Sequence, residues 1–180
     1  MFPVLRCFCT DDLARADQQS IHTWEPLEAA VHGVFEQGYI AHDFTVENTV
    51  GAAKHQAVAL HSEFDGSVLY RCAILGYQDA LYARKKRQFY HECRIEGTVD
   101  FMFGNATTIF LKCTIIARLP LRRQKNTITS QGRTPKQDHN GKFCFQFCDV
   151  SAPMTSPEPI NNRYILGSPW KLRSMVVFHR

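Results

Sequence analysis

The sequence predicts an all-β parallel β-helix, and three observations support this fold class. A nine-residue pattern rich in aromatic and β-branched residues recurs at 68–76, 89–97 and 109–117, so that the copies lie 21 and 20 residues apart. Each copy is short and partly alternating, which is typical of a strand. No segment of helical period and convincing length separates neighbouring copies. Strands that recur at this period without crossover helices indicate stacked coils about 4.8 Å apart.

Two weaker copies, at 40–48 and 144–150, extend the series at both ends. Equivalent residues of stacked coils lie above one another, so the pattern predicts a ladder of inward side chains: Cys72, Cys93 and Cys113 beside Ile74, Ile95 and Ile115. Small buried thiols fill a core well. Disulfides stay open as the alternative, and the pair Cys113 and Cys148, which hold equivalent positions in consecutive copies, is the one we expect if a bond forms.

The 180 residues suffice for one domain with a core of its own. Residues 1–27 do not show the repeat and are expected to form an atypical N-terminal segment, and residues 28–180 the β-helix domain. Residues 118–140 are basic and then rich in Gly, Pro and Asn, which predicts a long loop over the coils. A second loop is expected at 151–162, which contains three prolines.

The charge is mildly basic, with 21 Lys and Arg against 17 Asp and Glu, a net charge of +4 and an isoelectric point near 8.7. This excess is too small to indicate a nucleic-acid partner, but it suits an acidic polymer such as an acidic polysaccharide. The basic runs 84–87 and 118–125 are either solvated loops or contacts to such a polymer. No apolar stretch is long enough for a membrane helix, and the first residues lack the pattern of a signal peptide.

Two aspartates stand at the same offset in consecutive copies: Asp79 and Asp100 each follow the cysteine of their copy by seven residues. In a β-helix they become neighbours about one strand spacing apart. At ~5 Å and an effective dielectric constant of about 20, their repulsion is roughly 3 kcal/mol, or about two pKa units. One carboxyl then keeps its proton while the other ionises, which is the arrangement of an acid beside a nucleophile or base. The alternative is that each aspartate caps a turn between coils.

Two glutamines accompany the aspartates. Gln78 precedes Asp79 directly, and Gln56 lies in an earlier segment. Their side-chain amides are neutral donors that could stabilise a developing oxyanion.

Six segments resemble, in order, the motifs of plant-type pectin methylesterases: HQAVAL at 55–60, YQDALY at 77–82, RQFY at 87–90, GTVDFMFGN at 97–105, QKNTITSQGR at 124–133 and LGSPWK at 166–171. The resemblance implies a right-handed parallel β-helix, of which this chain looks like a partial copy truncated at both ends. It also implies a secreted, monomeric enzyme of the plant cell wall that needs no metal or organic cofactor. Its expected partners are methylesterified pectin and a proteinaceous pectin methylesterase inhibitor, with no nucleic acid and no membrane.

The resemblance also implies residue roles. Asp100 would be the nucleophile that attacks the methyl ester, and Asp79 the general acid and base. Gln78 and Gln56 would stabilise the oxyanion. Three aromatic residues would line the sugar cleft: Tyr82, Phe103 and Trp170.

One departure from the family pattern concerns Ser168, which stands where the family carries an arginine in contact with the nucleophile and the substrate. We therefore expect a weaker esterase, and a noncatalytic pectin-binding or inhibitor-binding relic of the fold is the alternative. A pectate lyase-like β-helix is less well supported, because the sequence shows no acidic calcium-binding cluster.

Overall fold

The computed structural model describes residues 4–7, 38–135, 141–151 and 165–179, and they form a solenoid of three parallel sheets. In every sheet, neighbouring strands come from successive coils, as the predicted parallel β-helix requires. The only helical element among these residues is a single 3-10 turn at Ala52–Lys54. Over the same ranges, no helix combines the length and apolar character needed to cross a membrane.

The described ranges contain seventeen strands, which divide among the sheets as follows. Sheet 1 contains β1 (Val4–Cys7), β3 (Thr45–Asn48), β6 (Ala73–Leu75), β9 (Arg94–Gly97), β12 (Thr114–Ala117) and β15 (Asp149–Ser151). Sheet 2 contains β4 (Leu60–Ser62), β7 (Leu81–Ala83), β10 (Met102–Gly104), β13 (Thr127–Gln131) and β16 (Ile165–Pro169). Sheet 3 contains β2 (Ile40–His42), β5 (Ser67–Tyr70), β8 (Arg87–His91), β11 (Thr107–Leu111), β14 (Lys142–Gln146) and β17 (Val176–His179).

Each sequence copy holds two strands rather than the single strand that its pattern predicts. A bend separates them at a residue with positive φ: Arg71 at 50°, Glu92 at 53° and Lys112 at 51° in the three clear copies. Such a backbone is uncommon for residues other than glycine and asparagine. The bend was therefore missed, because no turn residue of the usual type marks it.

The core consists of ladders in which equivalent side chains of successive coils stack. The predicted isoleucine ladder is confirmed: Ile74 pairs with Ile95 and Ile95 with Ile115, all fully buried. A second inward ladder, of aromatic rings, runs through sheet 3 along Tyr90, Phe110, Phe145 and Phe178, with ring centroids 4.6–5.0 Å apart. Stacking in register therefore supplies both the apolar core and the contacts between coils.

The cysteine ladder is buried as predicted, but the expected disulfide between Cys113 and Cys148 is wrong. Both are free thiols that donate to backbone carbonyls, Cys113 Sγ to Tyr90 at 3.4 Å and Cys148 Sγ to Phe110 at 3.3 Å. Equivalent side chains on parallel neighbours point the same way, about one strand spacing apart, whereas a disulfide needs sulfur atoms ~2.05 Å apart.

Two sequence expectations about loops and termini differ from the structure. The segment 118–140, expected to be a loop, contains β13, which is buried along its whole length between β10 and β16. Its polar composition gave no sign of a buried strand. Burial is possible because a polar side chain finds a partner inside the fold: Thr129 Oγ1 donates to the Leu166 carbonyl at 2.8 Å. At the N-terminus, β1 pairs with β3, so this part of the segment 1–27 joins the solenoid. The boundary at 27/28 and the predicted loop beyond Ser151 lie outside the described residues.

Candidate active site

The two aspartates occupy equivalent places on adjacent coils. Asp79 lies two residues before Leu81 of β7, and Asp100 lies two residues before Met102 of β10. Leu81 and Met102 are paired in sheet 2, so the two aspartates are at the same level of neighbouring coils. Both adopt the left-handed backbone region, Asp79 at φ 63° and Asp100 at φ 47°. The Asp79 amide donates to the Val99 carbonyl at 3.1 Å, which ties this turn to the next coil. Non-glycine residues held in this region often mark functional sites.

The environment of the two aspartates raises the pKa of both carboxyl groups. Burial and then the charge of Asp100 raise the pKa of Asp79 from 3.8 to about 8. Burial also raises the pKa of Asp100 from its usual value. Asp79 is thus protonated at neutral pH, as an acid must be before it donates.

A bulge in the earlier coil aligns the two glutamines. Gln56 and Gln78 form an isolated parallel bridge, and the Ala57 amide donates to the Gln78 carbonyl at 3.1 Å. The Ala80 carbonyl accepts from both Ala59 and Leu60, at 2.8 and 3.1 Å, so the earlier coil holds one extra residue there. This bulge aligns Gln56, which is exposed, with Gln78, which is half-buried beside Asp79.

Stacked rings lie on sheet 2, each three residues after one of the aspartates. Tyr82 and Phe103 stack face to face, with centroids 4.5 Å apart and an interplanar angle of 3°. Trp170 approaches Phe103 edge-on at 6.1 Å. Gly132 makes this approach possible, because a Cβ there would lie 2.7 Å from the indole ring. The structure therefore brings together all three aromatic residues that the sequence nominated.

His61 extends this surface and was missed by sequence reasoning. Its ring stacks on Tyr82 with centroids 4.9 Å apart, and its Nε2 lies 3.8 Å from a carboxylate oxygen of Glu63. The signal was present in the spacing, since His61, Tyr82 and Phe103 follow one another at intervals of 21 residues. We name these rings, together with Trp170, the aromatic strip.

Ser168 lies farther along the same sheet. It is half-buried on β16 and pairs with Ser130, which in turn pairs with Phe103. Among the described residues, no cation contributes to the pKa of Asp79 or Asp100.

The basic runs fall into two kinds. Residues 84–87 are solvated and ion-paired, with Arg84 bound to Glu63 at 2.6 Å and Arg87 to Asp65 at 2.7 Å. In the other run, Arg122, Arg123 and Lys125 are exposed, but the Arg118 side chain is only 21% exposed and is bound inside the fold. Within the described ranges, no three His, Cys, Asp or Glu side chains are grouped so that they could hold a metal ion.

A parallel β-helix that presents paired carboxylates, amide donors and a strip of stacked rings has the features of a carbohydrate-active β-helix protein. The pectinesterase family model matches residues 11–180, and the chain belongs to this family.

Known relatives agree with this assignment. The chain is 48% identical over 161 residues to probable pectinesterase/pectinesterase inhibitor 44 of Arabidopsis thaliana. The aligned residues cover 89% of this chain and 30% of that protein. It is 50% identical over 145 residues to pectinesterase 3 of Solanum lycopersicum, covering 78% of this chain and 26% of that one. The chain therefore spans less than a third of the length of these relatives.

Solved structures show the same fold. Pectin methylesterase from carrot superposes with a TM-score of 0.74 at 46% identity, over 79% of this chain and 44% of that one. The enzyme from Aspergillus niger reaches a TM-score of 0.77 at 28% identity, over 98% of this chain and 53% of that one.

Proposed function

We propose that this protein removes methyl esters from pectin and releases methanol. One observation carries the proposal: two aspartates meet on adjacent coils beside the aromatic strip, and the pKa of one of them is raised to about 8. An ester hydrolase without a metal needs a nucleophile and a proton donor for the alcohol. A carboxyl group that keeps its proton beside a second carboxyl group is an arrangement that can supply both.

In the proposed reaction, an Asp100 carboxylate oxygen attacks the ester carbonyl carbon of a galacturonate unit. Negative charge moves to the carbonyl oxygen, where the amides of Gln78 and Gln56 donate to it. When the tetrahedral intermediate collapses, the carbon–oxygen bond to the methoxy group breaks and Asp79 gives its proton to the departing methanol. Asp79 then takes one proton from water, whose oxygen attacks the carbonyl carbon of the acyl-enzyme. The bond from this carbon to the Asp100 oxygen breaks, Asp100 leaves as a carboxylate, and the galacturonic acid gives its remaining proton to solvent.

The aromatic strip is proposed to hold the polymer. Flat rings offer an apolar surface to pyranose faces, and the mild positive charge of the chain favours a polyuronate over a neutral glycan. The strip runs across the coils, which gives an extended ligand several successive contacts. A pectin methylesterase in complex with a hexasaccharide is among the structural relatives.

We place this activity outside the cell, in the plant cell wall, where methylesterified pectin occurs. We also propose a proteinaceous pectin methylesterase inhibitor as the protein partner. The support for both comes from the family and from relatives whose names join pectinesterase and pectinesterase inhibitor.

The test is methanol release from methylesterified pectin, with Asp100→Asn and Asp79→Asn beside the unmutated chain. We expect Asp100→Asn to abolish release, because an amide is not a nucleophile for this step. Asp149→Asn is the control, since Asp149 is exposed on β15 in another sheet.

Binding of the same polymer is measured in parallel. A chain that binds pectin but releases no methanol would contradict the esterase and favour the noncatalytic alternative. Equal release from Asp100→Asn and the unmutated chain would contradict the assigned nucleophile.

A further inference from the structure

Arg118 follows the end of β12, and its side chain reaches back across two coils. Its Nε donates to Glu96 Oε2 at 2.7 Å on the preceding coil. Its NH1 donates to the Gly76 carbonyl at 3.1 Å on the coil before that. The guanidinium also lies over the Tyr77 ring, 5.1 Å from the centroid. One planar group thus connects three coils at a single corner of the solenoid.

The anchor of this group is a buried carboxylate. The Glu96 side chain is only 8% exposed, and it is bound on one oxygen by Arg118 and on the other by Arg94. Arg94 differs from Arg118 in its surroundings, because its side chain is 60% exposed. A rigid guanidinium fork between two fixed acceptors keeps its orientation better than a flexible ammonium group does.

The contacts of Arg118 end immediately before the proposed catalytic residues. Gly76 and Tyr77 lead directly into Gln78 and Asp79. The Tyr77 carbonyl accepts from Thr98 of the next coil at 2.9 Å, which secures the other side of this turn. Because Asp79 is held in the left-handed region, its placement depends on how firmly the neighbouring backbone is fixed.

We infer that Arg118 is a positioning residue that holds the turn carrying Gln78 and Asp79 against Asp100. This inference rests on the proposed function, since it assigns a role within the same reaction. Arg118 acts through the Gly76 carbonyl and the Tyr77 ring and does not itself touch the reacting atoms. Asp100, on the adjacent coil, is the titratable group whose charge acts on Asp79.

The test compares Arg118→Lys with the unmutated chain. Lysine keeps the positive charge but cannot bond Glu96 and Gly76 in a fork and stacks less well on Tyr77. With a looser turn, Asp79 gains water and its pKa falls toward 3.8. We expect NMR titration of the Asp79 carboxyl carbon to show a decrease of at least one pKa unit.

In methanol release, we expect kcat of Arg118→Lys to fall about tenfold while KM changes less than twofold. Arg94→Lys is the matched control, because it alters the other partner of Glu96. It should leave the Asp79 titration and kcat unchanged. If Arg118 had a purely structural role, Arg118→Lys and Arg94→Lys would both lower the melting temperature, and neither would change the pKa of Asp79 or kcat.

A folded Arg118→Lys with an unchanged Asp79 pKa would overturn the inference. Should that variant not fold, Tyr77→Leu removes only the ring beneath the guanidinium, and the same downward shift is expected from it. Absence of methanol release from the unmutated chain would refute the proposed function alone, because the NMR comparison does not depend on activity.

Discussion

Asp79 combines a left-handed backbone with burial beside a second carboxyl group, and both features cost stability. The sign of the pH effect follows from its raised pKa. The folded state holds the proton up to about pH 8, whereas the unfolded chain releases it near 3.8. The stability of the fold is therefore at its full value below pH 3.8, and the ionisation of Asp79 lowers it progressively as the pH rises from 3.8 to about 8.

Asp79→Asn should accordingly stabilise the protein in alkaline solution. Each pKa unit corresponds to about 1.4 kcal/mol, so even half of the rise from 3.8 to about 8 would make the free energy of unfolding of the variant exceed that of the unmutated chain by about 3 kcal/mol at pH 9. The two should agree at pH 3, below the pKa of the unfolded chain. Denaturant titrations at both values measure this, with Asp149→Asn as the control. Equal stability at pH 9 would mean that Asp79 is not buried beside Asp100.

Ser168 is the position at which the effect of an added positive charge can be tested. A hydroxyl is short and uncharged, whereas an arginine at 168 would give the aspartate pair a cation and a bidentate donor. We expect Ser168→Arg to raise kcat for methanol release by tenfold to hundredfold, the scale of one positioned contact in the transition state. Ser151→Arg, which adds the same charge at an exposed position of β15, is the control. A fall or no change in a folded Ser168→Arg would contradict this view of residue 168.

Secondary-structure elements show where sequence reasoning succeeded and where it did not. The repeat predicted coils of strands because Ile74, Ile95 and Ile115 recur at the coil period. The equal offsets of Asp79 and Asp100 predicted their meeting for the same reason. The bends and β13 escaped detection, because their residues are not the glycine, proline or apolar types from which turns and buried strands are predicted. Sequence reasoning predicted the repulsion between the two carboxyl groups, but it could not predict that burial contributes more than this repulsion to the raised pKa of Asp79, since burial depends on the assembled coils.

Gly97 is a position where the close packing of neighbouring coils can be tested. It ends β9 directly before the turn to Asp100, and a Cβ there would lie 2.2 Å from Phe101 Cβ and 2.7 Å from the Tyr77 carbonyl. Gly97→Ala should therefore destabilise the protein by about 1–3 kcal/mol. At Gly167 the nearest atom would be Thr129 Oγ1 at 3.3 Å, so Gly167→Ala should change the free energy of unfolding by less than about 0.5 kcal/mol. Equal effects in denaturant unfolding would contradict the packing argument.

Across the whole molecule, stability comes from contacts between neighbouring coils, because a solenoid has few others. The ladders make every coil depend on the next, and alternating charges at one corner, Asp43, Arg71, Glu92 and Lys112, follow the same order. Of these residues, Asp43 and Arg71 form an ion pair at the surface, and such a pair contributes little energy. The interior rings, by contrast, are buried and closely stacked, so they carry the larger share of the cohesion between coils.

The aromatic ladder therefore predicts a graded response along the solenoid axis. Phe110 is fully buried between Tyr90 and Phe145, with centroid distances of 5.0 and 4.6 Å, and it meets Phe143 edge-on. Phe110→Ala should cost about 3–5 kcal/mol, the usual effect of removing a buried ring.

Phe178 provides the comparison, because it stacks on Phe145, has no second stacked ring among the described residues and is 40% exposed. We expect Phe178→Ala to cost about 1 kcal/mol, since less area leaves water and one stacking contact is lost. Denaturant unfolding of both variants, with the slope of the transition checked for changes in cooperativity, measures the difference. Equal losses would show that cohesion is not transmitted coil by coil through these rings.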